Sequence, residues 1–213
     1  MTDDPCPCCG DTDTTPDEAE SSTAEMITDS APLEAELPGE LQSALGRFLG
    51  GDPVETLAEW AEEVRQHGGG GSIDVDELCL VDEETEHWGT RGTERYHFAC
   101  FYDAVILAAL SDRPVDIRTR SPTGAVIEAR AVGTDALIVS PREAVFSFGI
   151  DETVEAPAGD DGPSLERGYA AICPYVSAFS TPAAYEVWAR SVPAATVALS
   201  LDGATDLAAA LVR

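Results

Sequence analysis

The apolar positions change period along this chain, and the changes mark its elements. Between 38 and 49 the period is helical: Leu37, Leu41, Leu45 and Leu49 fall every four residues. Gly50-Gly51 breaks the pattern. Asp52-Pro53 then offers a cap and a first-turn proline for a second helix over 53–67, with Val54, Leu57, Trp60, Ala61 and Val64 facing inward. Four glycines, Gly68 to Gly71, close the pair. From residue 72 the pattern predicts a larger domain. Residues 73–81 read as a strand or extended entry, and 82–92 as a polar connection. The run YHFACFYDAVILAALSD over 96–112 reads as a buried helix that Pro114 ends.

Beyond that helix the period becomes two. Val115, Ile117 and Thr119 alternate with Asp116, Arg118 and Arg120, the SPTG sequence makes a turn, and 126–132 returns as a second strand. Residues 135–140 and 145–150 supply further strands around a possible helical turn at 141–144, and 151–163 is an acidic loop. The apolar run YAAICPYVSAF, 169–179, reads as a strand, at an edge or bulged because Pro174 lacks an amide donor. Ser180-Thr181-Pro182 starts a helix that reaches about Ser191; 195–201 is a strand and 205–212 a terminal helix. Helices and strands come in segregated groups joined by hairpins. The pattern therefore predicts an α+β fold, with antiparallel sheets flanked by helices. It divides into a disordered acidic tail over 1–36, a small helix-turn-helix-like module over 37–71 and a main domain over 72–213.

Charge changes this picture in two ways. The chain carries a net charge of −28, and its 12 basic residues are all arginine. An acidic, lysine-free surface suits a cytoplasm of molar salt, where the Debye length is only about 3 Å and self-repulsion is screened. A salt-in halophile is the expected source. The same charge disfavours nucleic acid, since no basic stripe exists to neutralise phosphates. Glu55, Glu59, Glu62 and Glu63 on the second helix argue that the helix pair is a packing module and not a DNA reader. No apolar run is long enough to span a bilayer and the N-terminus lacks a secretory pattern, so a cytoplasmic location without membrane association is expected.

In a reducing compartment the 6 cysteines are thiols, suited to soft metals or catalysis and not to a disulfide framework. Cys6, Cys8 and Cys9 lie close enough in the tail to capture a thiophilic ion such as Hg(II) or Cu(I); a solvated tail of no fixed role is the plainer alternative. Cys79, between Leu78 and Leu80, reads as a buried small apolar residue. Cys100 and Asp103 would share one helical face. Taken singly, Cys100 is a core thiol, and Asp103 could face solvent or pair with Arg91 or Arg95. An unpaired carboxyl among Val, Ile, Leu and Ala is costly to bury, however, and burial would raise its pKa into the range where it can carry a proton. Cys173 alone reads as core. Phe101, Tyr102 and Tyr175 could line an apolar pocket, with aromatic core as the default, and His97 is a weak candidate ligand.

The segments YHFACFYDAVILAAL, DRPVDIRTRSPTGAVI and AAICPYVSAFSTPAAYEVWA, spanning about 96–200, resemble the organomercurial (alkylmercury) lyase family, in a haloarchaeal-type form. The resemblance, not the composition, joins three residues into one catalytic set. It implies that Cys100 and Cys173 hold mercury as thiolates and that Asp103, beside the metal, carries the proton. The implied reaction is protonolysis of a carbon–mercury bond, giving a hydrocarbon and Hg(II). It needs no organic cofactor, and the product passes to low-molecular-weight thiols or a mercuric reductase. The chain departs from the family pattern at Arg120 and Ile172, where many members carry further cysteines, and its N-terminal helical region is abbreviated. The alternative reading is a non-catalytic soft-metal (Hg or Cu) chaperone of related fold; Asp103 argues against it, since a passive thiolate site has no use for a buried acid.

Overall fold

The computed structural model describes residues 24–67, 73–111, 113–157 and 162–212. The leucine repeat folds as α1 (Gly39–Leu49), burying Leu41, Ala44, Leu45 and Phe48. Gly50 ends it in the left-handed region, at φ 77°, and its amide returns to the Arg47 carbonyl. The second helix starts later than the Asp52-Pro53 signal predicts, as α2 (Leu57–His67). The intervening residues are pulled back along α1: the Leu37 amide bonds the Glu55 carbonyl, and the Val54 amide bonds that of Gln42. Thr56 then caps α2 by accepting the Glu59 amide at 3.1 Å, and Glu59 accepts the Glu55 amide at 2.7 Å.

Two sheets follow. The five-stranded sheet has the order β3-β2-β4-β5-β6, with β2 (Trp88–Arg91), β3 (Glu94–His97), β4 (Val115–Arg120), β5 (Val126–Val132) and β6 (Ala136–Ser140). All its pairs are antiparallel, and the alternation expected at Val115, Ile117 and Thr119 is the buried face of β4. The four-stranded sheet has the order β1-β9-β7-β8, with β1 (Glu25–Ile27), β7 (Val145–Asp151), β8 (Ala178–Phe179) and β9 (Ala194–Ser200). Here β1 runs parallel to β9, the one exception to the antiparallel expectation among the described strands. The acidic tail is thus folded from residue 24 rather than disordered through 36. Its composition is polar on average, but Ile27 is buried, Leu33 packs on the core, and β9 offers an edge for β1 to pair with.

The remaining helices are α3 (Tyr102–Ala109), α4 (Leu165–Ile172), α5 (Pro182–Ala189) and α6 (Leu201–Val212). Helix α3 is buried on every side from Tyr102 to Ala108. It packs on α6, which also receives α2. The rings of Phe48, Trp60 and Phe148 link α1 to α2 and α2 to β7 with centroids 6.0 and 5.9 Å apart. Helices α1 and α2 therefore share the main core. Thr181 caps α5 as its sequence predicts, accepting the Ala184 amide at 3.2 Å with Pro182 in the first turn. The fold is α+β, and among the described residues no helix is long and apolar enough to cross a membrane.

The pairing of β7 with β9 leaves no room at Gly149. A Cβ there would stand 2.6 Å from Thr196 Cγ2 and 2.8 Å from the Ala195 carbonyl oxygen. Thr196 is itself held by the Tyr185 hydroxyl at 3.0 Å. Gly149→Ala is expected to lower stability by about 1–3 kcal/mol, the usual scale of overpacking. A urea titration checks it: the midpoint falls while the folded far-ultraviolet spectrum is retained. An unchanged midpoint would mean that the two strands are free to separate.

Candidate active site

The site begins with a short piece of backbone pairing. The Val81 amide bonds the His97 carbonyl and the Ala99 amide bonds the Cys79 carbonyl, each at 3.0 Å, around a bridge between Leu80 and Phe98. This register sets Cys79 opposite Ala99, one residue from Cys100. The expected strand over 73–81 is reduced to that bridge and a 3₁₀ turn, Val75–Glu77. After Phe98 the chain turns into α3. Cys100 lies in the turn and Asp103 in the first turn of the helix, so the expected helix over 96–112 is shorter: its opening residues continue β3. The pairing of thiol and acid survives this change. Cys100 Sγ donates to Asp103 Oδ2 at 3.6 Å, and the same carboxyl group accepts the backbone N–H of Cys79.

The third side arrives with α4. A serine cap at Ser164 and a helical period from Leu165 make this segment a helix, not the strand that the apolar run from Tyr169 predicts. Pro174 ends it, and Cys173 opens a single 3₁₀ turn, Cys173–Tyr175. Cys173 therefore sits at a helix terminus and not in a strand. Two anchors fix that terminus. The Tyr169 hydroxyl donates to the Glu77 carbonyl, tying α4 to the turn just before Cys79. Ser147, fully buried on β7, donates to the Tyr175 carbonyl at 2.7 Å and accepts the Ser177 amide at 3.1 Å. Between these anchors the Cys173 thiol is in hydrogen-bond contact with the thiols of both Cys100 and Cys79.

Burial is graded across the cluster. Cys100 and Asp103 are each 6% exposed, whereas Cys79 and Cys173 are half-buried and form the outer side. The environment sets the protons. Burial raises the Asp103 pKa to about 6, against the opposing pull of the Cys100 thiol and the Cys79 amide. The Cys173 thiol is pushed well above the usual range, first by its hydrogen bond with Cys100, then by that with Cys79 and by burial, so it keeps its proton in the resting chain. Burial, then the neighbouring Cys79, Asp103 and Cys173, push the Tyr169 hydroxyl up to about 12; it remains a donor. A buried acid close to neutrality, touching a thiol that touches another thiol, can exchange a proton with sulfur and deliver it to an atom bound there.

The structure thus brings together Cys100, Asp103 and Cys173. Cys6, Cys8 and Cys9 lie outside the described residues. Asp103 takes no arginine partner: Arg91 bonds Glu94 and Tyr96, and Arg95 lies 4.1 Å from the Trp88 ring centroid. His97 accepts the Thr85 amide on Nδ1 at 3.0 Å, a structural use. Tyr102 stacks on Phe146 and donates to the Ala204 carbonyl at 3.1 Å, which makes it core. The residue that sequence reasoning missed is Cys79. Its flanking leucines suggest burial, yet Leu80 is 41% exposed, and the register with 97–99 turns Cys79 to the site.

No curated protein matches the chain. A solved structure described as the mercury-bound form of MerB2 resembles it with a TM-score of 0.47 and 15% identity, over 82% of this chain and 91% of that one. The family model described as alkylmercury lyase matches residues 80–213, a span that holds Cys100, Asp103 and Cys173. With well over half of its length matched in this way, the chain belongs to the alkylmercury lyase family and is a lyase.

Proposed function

We propose that this enzyme cleaves organomercurials by protonolysis, with Cys100 and Cys173 holding the mercury and Asp103 carrying the proton to carbon. The observation that carries the reading is the contact of two thiols beside a buried acid whose pKa is near 6. In the resting site the Cys100 thiol already donates toward Asp103. As the Cys100 sulfur bonds the mercury of R–Hg–X, its proton crosses to the carboxylate and X departs. Cys173 then adds as the second sulfur, and its proton leaves with X as HX. Two soft thiolates on one mercury raise electron density at the metal and polarise the carbon–mercury bond. Asp103 returns its proton to the carbon, the bond breaks, and R–H leaves with Hg(II) bound between two sulfurs. No redox partner enters, since mercury stays divalent throughout.

Burial of Cys100 and Asp103 supports this assignment. Water at that depth would compete for the proton and screen the charge on sulfur. Release of Hg(II) falls to external thiols or a mercuric reductase, with no organic cofactor required. The test is turnover of phenylmercury with excess small thiol, in molar KCl to suit a net charge of −28. Benzene accumulating in excess over enzyme is expected. Stoichiometric mercury uptake without benzene would instead select the chaperone reading and overturn this one.

A further inference from the structure

The protonolysis scheme uses two thiols, but the cluster holds three. Cys79 is in hydrogen-bond contact with Cys173, its backbone amide holds Asp103, and its backbone carbonyl accepts the amide of the residue before Cys100. It is therefore bonded directly to Cys173 and Asp103, and to Cys100 only through the neighbouring Ala99. It is also half-buried, on the outer side with Cys173. Among the described residues no group of three side chains stands as a ready-made metal cage. The sulfurs are instead packed against one another as thiols, and a metal would enter by replacing their protons. Since the Cys79 thiol touches that of Cys173, it borders any mercury that Cys173 holds.

We infer that Cys79 is a third sulfur ligand for the product Hg(II), converting a two-coordinate ion into a three-coordinate one before it leaves. The inference rests on the assignment of Cys100 and Cys173 as the mercury-holding pair. The step is an addition: the Cys79 sulfur bonds mercury and its proton goes to solvent, which its exposure reaches. The metal is neither oxidised nor reduced. Either inner bond can then break, with the freed sulfur taking a proton back, so that Cys79 carries the ion toward the surface and an incoming thiol meets it there. Thiolates select soft metals, and exchange through an added third sulfur avoids a bare cation.

The experiment uses the full chain with Cys6, Cys8 and Cys9 changed to serine, which leaves Cys79, Cys100 and Cys173 as its only thiols. One equivalent of Hg(II) is loaded with no small thiol present, and sulfur neighbours are counted by X-ray absorption. Three sulfurs are expected, falling to two in a further Cys79→Ser variant, which should also lose mercury to a competing chelator on the order of tenfold more readily. Two sulfurs in the parent protein overturn the assignment, and this result stands even if the Cys79→Ser chain fails to fold. Benzene release from phenylmercury is measured on the same parent. Benzene with two-sulfur mercury removes Cys79 alone; three-sulfur mercury without benzene keeps Cys79 as a ligand and removes the lyase mechanism.

Discussion

Cys173→Ser is expected to abolish benzene release from phenylmercury, by on the order of 10³-fold or more, the scale on which loss of one member of an acting set is felt. The substitution is nearly isosteric, and the half-buried position at the end of α4 keeps its two anchors, Tyr169 on Glu77 and Ser147 on Tyr175. Stability should therefore change by less than about 1 kcal/mol. What changes is the chemistry at mercury. A hydroxyl oxygen is hard and remains protonated, so the metal keeps one thiolate, from Cys100, and the carbon–mercury bond is not polarised enough to accept the Asp103 proton. The variant should still take up phenylmercury as a covalent adduct at Cys100, visible as a mass increase on the intact chain. Adduct without benzene is the expected pair of results. Turnover at the parental rate would show that one thiolate suffices and would remove Cys173 from the mechanism.

That cluster was only partly legible before folding. The pairing of Cys100 with Asp103 could be read from a spacing of three residues, and it holds although Cys100 precedes the helix, because a spacing of three also brings side chains together across a helix start. Cys173 could be joined to them only by family resemblance, since nothing local says where the end of α4 will dock. The docking depends on the Tyr169 hydroxyl reaching a carbonyl 92 residues away in sequence. The same segment has the apolar pattern of a strand but folds as a helix. Its apolar run begins at Tyr169, but the helix begins at Leu165, inside a stretch whose acidic, Gly- and Pro-rich approach hides the first turn. Cys79 escaped because its orientation is set by non-local pairing with 97–99, and a two-residue flank of leucines cannot report that. The folded tail strand β1 escaped for the same reason: it is stabilised by the free edge of β9, more than 160 residues away in sequence. By contrast the β4–β5 hairpin was legible in full. Its alternation and its turn are local, and Gly124 takes the positive φ, 90°, that the turn requires.

Asp103→Asn should separate what the acid does for chemistry from what it costs the fold. In the folded chain Asp103 titrates at about 6, against an ordinary 3.8, because it is buried. Below pH 3.8 it is protonated in both folded and unfolded chains and has no effect on their balance. Between 3.8 and about 6 the folded chain keeps a proton that the unfolded chain has released, so stability falls as pH rises. Above 6 a buried carboxylate must be tolerated, at a cost of roughly 3 kcal/mol for a shift of about two units. Asparagine has the same shape and can still accept the Cys79 amide, but it cannot ionise. The stability difference, variant minus parent, should therefore rise between pH 4 and 6.5 and then level, with about 3 kcal/mol as its ceiling. Subtracting the parent curve removes the other carboxylates, which titrate in both chains. Over the same range the variant should lose turnover by about 10²–10⁴-fold, the contribution typical of a positioned acid. Urea midpoints at several pH values, with benzene release on the same samples, provide both readings. A difference that stays flat with pH would mean that Asp103 is not held near neutrality, and parental turnover would mean that the proton reaches carbon from another group. Loss of activity together with a gain in neutral-pH stability is the combination that a buried proton carrier requires, because the same burial that destabilises the anion keeps its proton available to the carbon.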